Sequence, residues 1–140
     1  MPDLNLQTAD TLTAAAFDYA RQHNLAISVA VLDAGGNAVR ISRMDGCNFL
    51  SPDIARGKAF GAVAWKLPSA ELNKRFTSPG AASGMVGISG QRLVPVQGAL
   101  PIWSEGRCVG SIGVSGARSD EDEDVARAAI RAAGFAESAE

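Results

Sequence analysis

The sequence predicts an α+β domain, one antiparallel sheet of about five strands flanked by helices. Two hairpin signatures and three amphipathic stretches lead to that class. Residues 89–117 hold two extended segments joined at Ser104-Glu105-Gly106, where glycine supplies the positive φ that a short turn needs. Residues 26–32 and 38–43 flank Asp33-Ala34-Gly35-Gly36-Asn37, a run dense in turn formers. Apolar residues recur at helical spacing in the segments 8–23, 51–66 and 119–132. No long crossover favours a parallel sheet. The 140 residues suffice for one domain, residues 1–140, with a core of its own.

In the first helix, Leu12, Ala15, Ala16 and Tyr19 form one apolar stripe. Thr8 is its expected cap, with Asp10 in the first turn and Asn24 as a left-handed stop. Ile27, Val29 and Val31 then alternate with Ser28, Ala30 and Leu32. Both faces of this strand are small or apolar, so it belongs at the centre of its sheet. Ser51-Pro52-Asp53 is a helix start, and that helix runs to about Lys66. Pro68 stops it, and a short helix follows over 69–76. Residues 78–90, rich in Gly, Ser and Ala, read as a long loop with a short strand at 85–88. Pro95 and Pro101 fall in the first arm of the second hairpin, which should be bulged or broken near them. Ser119 is the expected cap of the last helix. Its acidic run, Asp120 to Asp124, reads as dipole stabilisation and solubility, because five consecutive residues cannot share one helix face.

Bulk composition excludes several classes. Net charge is −2 with no basic run, so nucleic acid and anionic membranes are not expected partners. No apolar run reaches the roughly 20 residues that span a bilayer. Residues 1–10 lack a basic start followed by an apolar run, so no signal peptide is expected and the cytoplasm is the expected compartment. Cys47 and Cys108 are isolated thiols, which fits a reducing compartment.

The second hairpin holds the strongest hint of a site. Val109, Ser111, Gly113 and Ser115 share one strand face, which beyond Val109 is almost bare. That face leaves room for a helix, a neighbouring subunit or a flat ligand. Lys58 falls within the Ala55, Ala59, Ala62 stripe, beside Gly57 and Gly61. A cation aimed at a core needs an anion or an open pocket; otherwise it snorkels from the stripe's edge. Arg43 and Asp45 either line a pocket mouth with Lys58 or belong to the turn that ends their strand. His23, the lone imidazole, is either an axial metal ligand or an exposed helix-end histidine.

The runs Ala30-Val31-Leu32-Asp33-Ala34-Gly35-Gly36, Arg43-Met44-Asp45-Gly46, Gly57-Lys58-Ala59, Val96 to Ile102 and Val109 to Ala117 resemble the GlcG/HbpS family in order across nearly the whole chain. The resemblance implies a profilin-like sheet flanked by helices and a homo-oligomer. It also implies haem or corrinoid as ligand, or a role beside catabolic enzymes acting on small organic acids. Gly98, Pro101, Ser111, Gly113 and Ser115 fall in the shared motifs and would line the family cleft with Arg43 and Lys58. The chain has Gly98-Ala99 where a Gly-Gly pair is common, and no second histidine for a bis-imidazole haem site within one subunit.

Two functions follow as expectations. In one, a flat carboxylated ligand lies in a cleft between the second helix and the sheet, with Lys58 or Arg43 meeting its acid groups. In the other, an isomerase, lyase or hydrolase of a carboxylated metabolite uses Asp45 as acid/base, with Lys58 and Arg43 holding the carboxylate.

Overall fold

A computed structural model describes residues 4–139; residues 1–3, the start of the segment read for a signal peptide, lie outside it. Among the described residues the sheet has four antiparallel strands in the order β2-β1-β4-β3. The strands are β1 (Ser28–Asp33), β2 (Ala38–Arg43), β3 (Ala99–Ser104) and β4 (Arg107–Ser115). The central position of β1 is the one its doubly apolar pattern predicts. Pro101 sits on edge strand β3 opposite Ser111, where a missing N–H costs no ladder bond on its open side. The register shifts one step beyond it, between Ile102 and Trp103.

Helices cover both faces. On one, α1 (Leu6–Gln22) and α5 (Ser119–Ala132) pack on each other and on the sheet. Leu12, Val29, Val31, Ile112, Val125 and Ile130 are buried in that layer, which is the main core. On the other face lies α2 (Ser51–Trp65), over Leu32 with Ala59 and Val63. The short α3 (Ser69–Arg75) follows, then α4 (Pro79–Ile88).

Two expectations need correction. Residues 85–88 are not a strand but the end of α4, so the sheet has four strands rather than about five. Ser78 caps that helix by accepting from the Ala81 N–H at 3.3 Å, and Pro79 opens it; at α2, by contrast, Ser51 is already the first helical residue, Leu50 holds the cap position without a side-chain bond, and the Ser51 hydroxyl donates to the Asn48 carbonyl at 2.8 Å. Its glycines and serines mimic a loop in composition. The caps also shift by a residue or more. Asn5, not Thr8, caps α1, accepting from the Thr8 N–H at 2.8 Å. Asp10 leaves the first turn free of acid and pairs with Arg40 of β2. At α5 the cap is Arg118 rather than Ser119, and Glu121 accepts from the Arg118 N–H at 3.1 Å. Asn24 does end α1 in the left-handed region, at φ 56°. Among the described residues no helix is long and apolar enough to cross a membrane.

Candidate functional site

The bare face of β4 is covered by the protein's own second helix. A Cβ on Gly113 would lie 2.1 Å from the Ala55 carbonyl oxygen and 2.9 Å from the Ala59 Cβ. The Ser111 hydroxyl donates to the Ala59 carbonyl at 2.7 Å and is fully buried. Of the three occupants that the bare face allows, a helix fills it. The expected cleft between α2 and the sheet is therefore closed, because Gly, Ser and Ala let two backbones meet directly. Gly98, Pro101 and Ser115 are buried in the same interior. Replacing Ser111 by alanine removes one buried hydrogen bond and leaves the Ala59 carbonyl's helical bond intact. Urea unfolding should show a loss of about 1 kcal/mol.

Lys58 is 3% exposed, and its amine meets no pocket. Nζ donates to Asp122 Oδ2 and to the Val114 carbonyl, both at 3.0 Å. Gly98, at φ 140°, tucks against the amine; a Cβ there would come within 2.7 Å of Nζ. Asp122 is 1% exposed, and its other oxygen accepts from the Ala117 N–H at 3.0 Å. Burial pushes the Asp122 carboxyl above its ordinary value, while the Lys58 charge and the Ala117 amide pull it back. The acidic run is thus not purely a solvated cap. Asp122 stands three residues before Val125 on the stripe that buries α5, and that spacing was the available signal.

The expected trio does not converge. Arg43 and Asp45 are exposed and line a shallow hollow of about 300 Å³ with Phe17, Arg21 and Met44, away from buried Lys58. His23 ends α1 with its ring stacked on Tyr19 at 4.0 Å. Its Nδ1–H donates to the Tyr19 carbonyl at 2.9 Å. Among the described residues no three His, Cys, Asp or Glu side chains are grouped to hold a metal.

A different site lies on the outer flank of α2. Gly57 and Gly61 let the chain before β3 lie against the helix. A Cβ on Gly57 would come 2.3 Å from Val94 Cγ2, and one on Gly61 would come 2.6 Å from Leu72 and Leu93. The Val94 N–H donates to the Gly57 carbonyl at 3.1 Å and pins the segment. Beside this seam opens a groove of about 430 Å³, within the range of small-molecule sites. Leu50, Ile54 and Val94 supply apolar wall; Asp53, Arg56 and Arg92 supply charge. Phe49, next in the chain to Leu50, is 85% exposed. The Arg92 guanidinium stands 4.7 Å over the Phe60 ring, and its Nε donates to the Ser89 carbonyl at 2.7 Å. Among the described residues neither Arg56 nor Arg92 has a carboxylate partner. Two guanidinium groups without carboxylate partners, beside apolar wall, can seat a flat ligand with acidic substituents.

The molecule is an α+β domain, a four-stranded antiparallel sheet covered by helices on both faces, with a groove on the outer flank of α2. The chain belongs to the HbpS-like family, described as haem degrading protein HbpS-like, whose family model matches residues 4–131. It is 32% identical over 130 residues to the corrinoid adenosyltransferase PduO of Salmonella typhimurium (strain LT2), covering 92% of this chain but 38% of that one. It is 29% identical over 112 residues to protein GlcG of Escherichia coli (strain K12), covering 80% and 81% of the two. The crystal structure of the PduOC:heme complex superposes with a TM-score of 0.87 at 30% identity, over 98% of this chain and 99% of that one. The GlcG/HbpS resemblance read from the sequence is therefore the family.

Proposed function

We propose that the protein binds a flat, carboxylated ligand of the haem class in the groove between α2 and residues 91–94. The observation that supports this most is the pair of guanidinium groups, Arg56 and Arg92, without carboxylate partners beside Leu50, Ile54 and Val94. The apolar walls match a ring face, whose burial supplies most of the affinity at about 25 cal/mol per Å². The guanidinium forks match the ring's acid groups and set its orientation. The haem named in the PduOC complex, and the family's description, point to the same ligand class.

Titration with haemin, followed by its Soret band, tests the reading. Wild-type protein should saturate with one haemin per chain. Arg56→Ala and Arg92→Ala should each weaken binding roughly 3- to 10-fold, since each removes one partly solvated charge-assisted contact. Arg56→Ala, on an exposed side chain, should leave the melting temperature unchanged, whereas Arg92→Ala also gives up the Ser89 hydrogen bond and the contact over Phe60 and should lower it by a few degrees. Absence of a saturable Soret shift, or a double variant that binds like wild type, would overturn the assignment.

A further inference from the structure

We infer that the groove, if it takes a haem-class ligand as proposed above, holds it by ring face and carboxylates with no protein ligand to the metal, so that the metal-free ring binds as well as the iron complex. The side chains that line the groove include no His, Cys, Met or Tyr, the types that bind haem iron from a protein. Apart from Met85, half-buried on α4 and not among the groove's lining residues, the donors of that kind elsewhere in the described chain are already engaged or line other hollows. His23 lines a separate hollow of about 170 Å³ with Tyr19, Leu25 and Arg118, and its Nδ1 is held by the Tyr19 carbonyl. Cys47 is buried with Sγ 3.0 Å from the Ser51 hydroxyl. Cys108 is buried with its thiol on the Gly110 carbonyl at 3.5 Å, and burial pushes its pKa up, away from thiolate. Met44 Sδ accepts from the Ile27 N–H at 3.5 Å.

Within the groove only Asp53 and Gln91 offer oxygen donors. Carboxylate and amide oxygens suit hard cations better than haem iron. Asp53 has a clearer electrostatic role. It sets a negative charge beside the two arginines and so opposes an anionic ligand. The groove's selectivity then runs on charge count and flatness, not on iron.

The test compares haemin, metal-free protoporphyrin and its dimethyl ester on the full chain. Haemin is followed by absorbance and the free rings by their own fluorescence. Haemin and protoporphyrin should bind within about threefold of each other, and the ester at least about tenfold more weakly. Asp53→Asn should tighten both acids by about two- to threefold and leave the ester unmoved. His23→Ala should change neither the affinity for haemin nor the spectrum of the complex. Protoporphyrin binding more than about threefold weaker than haemin would overturn the inference while leaving the haem-class groove standing; a bound-haemin spectrum that reverts to free haemin in His23→Ala would place the ring in the His23 hollow and overturn groove and inference together. If neither acid binds saturably, groove and inference fail together.

Discussion

Asp122→Ala should destabilise the protein by about 3–5 kcal/mol, the cost of leaving a buried charge without its partner. The amine of Lys58 would keep one carbonyl, Val114, and lose the carboxylate at 3.0 Å. Water cannot replace it, because both side chains are at most 3% exposed. Chemical denaturation should read the loss directly, and the melting temperature should fall by roughly 10–20 °C. Lys58→Met should cost less, because burial already holds the Asp122 carboxyl above its ordinary value and the residue can take a proton. The double change Lys58→Met, Asp122→Asn should recover most of the stability. The asparagine oxygen still accepts the Ala117 N–H, and its amide can donate to the carbonyl that Lys58 gives up. A double variant as unstable as Asp122→Ala would mean that the pair is not the tie between α2 and α5. The pH dependence carries the opposite sign to that of a surface ion pair. Unfolded, the carboxyl titrates near 3.8; folded, it holds its proton to higher pH. Its contribution is thus full below that value and is lost as pH rises through the folded pKa. Relative to Asp122→Asn, the wild type should lose stability across that window.

Local signals in the sequence made most of the fold legible. Gly106 and the Asp33–Asn37 run announce both hairpins because only a few residue types accept those turns. The doubly apolar pattern of β1 places it centrally because nothing polar needs water on either side. What stayed hidden is non-local or compositionally ambiguous. The glycines and serines of α4 look like loop, although Ser78-Pro79 is a Ser-Pro start like the one beside which α2 begins, and here the serine does cap. Period two shows that Ser111, Gly113 and Ser115 share a face but not what lies on it. Lys58 within the alanine stripe signals a buried cation, but its anion lies 64 residues further on, among four other acids. The groove was missed for the same reason. Gly57 and Gly61 announce a close approach to α2, yet nothing in 91–94 marks that segment as the one that comes. Only when it does are Arg56 and Arg92 brought to one surface.

Gly113→Ala should cost about 3 kcal/mol or more, at the upper end of what one added methyl does in a packed core. The new Cβ would fall 2.1 Å from the Ala55 carbonyl oxygen, well inside the 3.0 Å that real Cβ atoms respect. The obstacle is helix backbone rather than a side chain, so no rotamer change relieves it. To make room α2 must lift, and with it the Ser111 bond to Ala59 and the seat of Lys58. Gly84→Ala is the matched control. Nothing lies within 4 Å of its Cβ, and it sits within α4, where alanine is favoured over glycine by roughly 0.5–1 kcal/mol. The two substitutions add the same atom and should move stability in opposite directions in the same denaturation assay. Arg56 rides on α2, so the haemin affinity of Gly113→Ala should fall as well, whereas that of Gly84→Ala should hold. A Gly113→Ala protein as stable as the Gly84→Ala control would mean that helix and sheet do not touch, and that the bare strand face is open to a ligand after all.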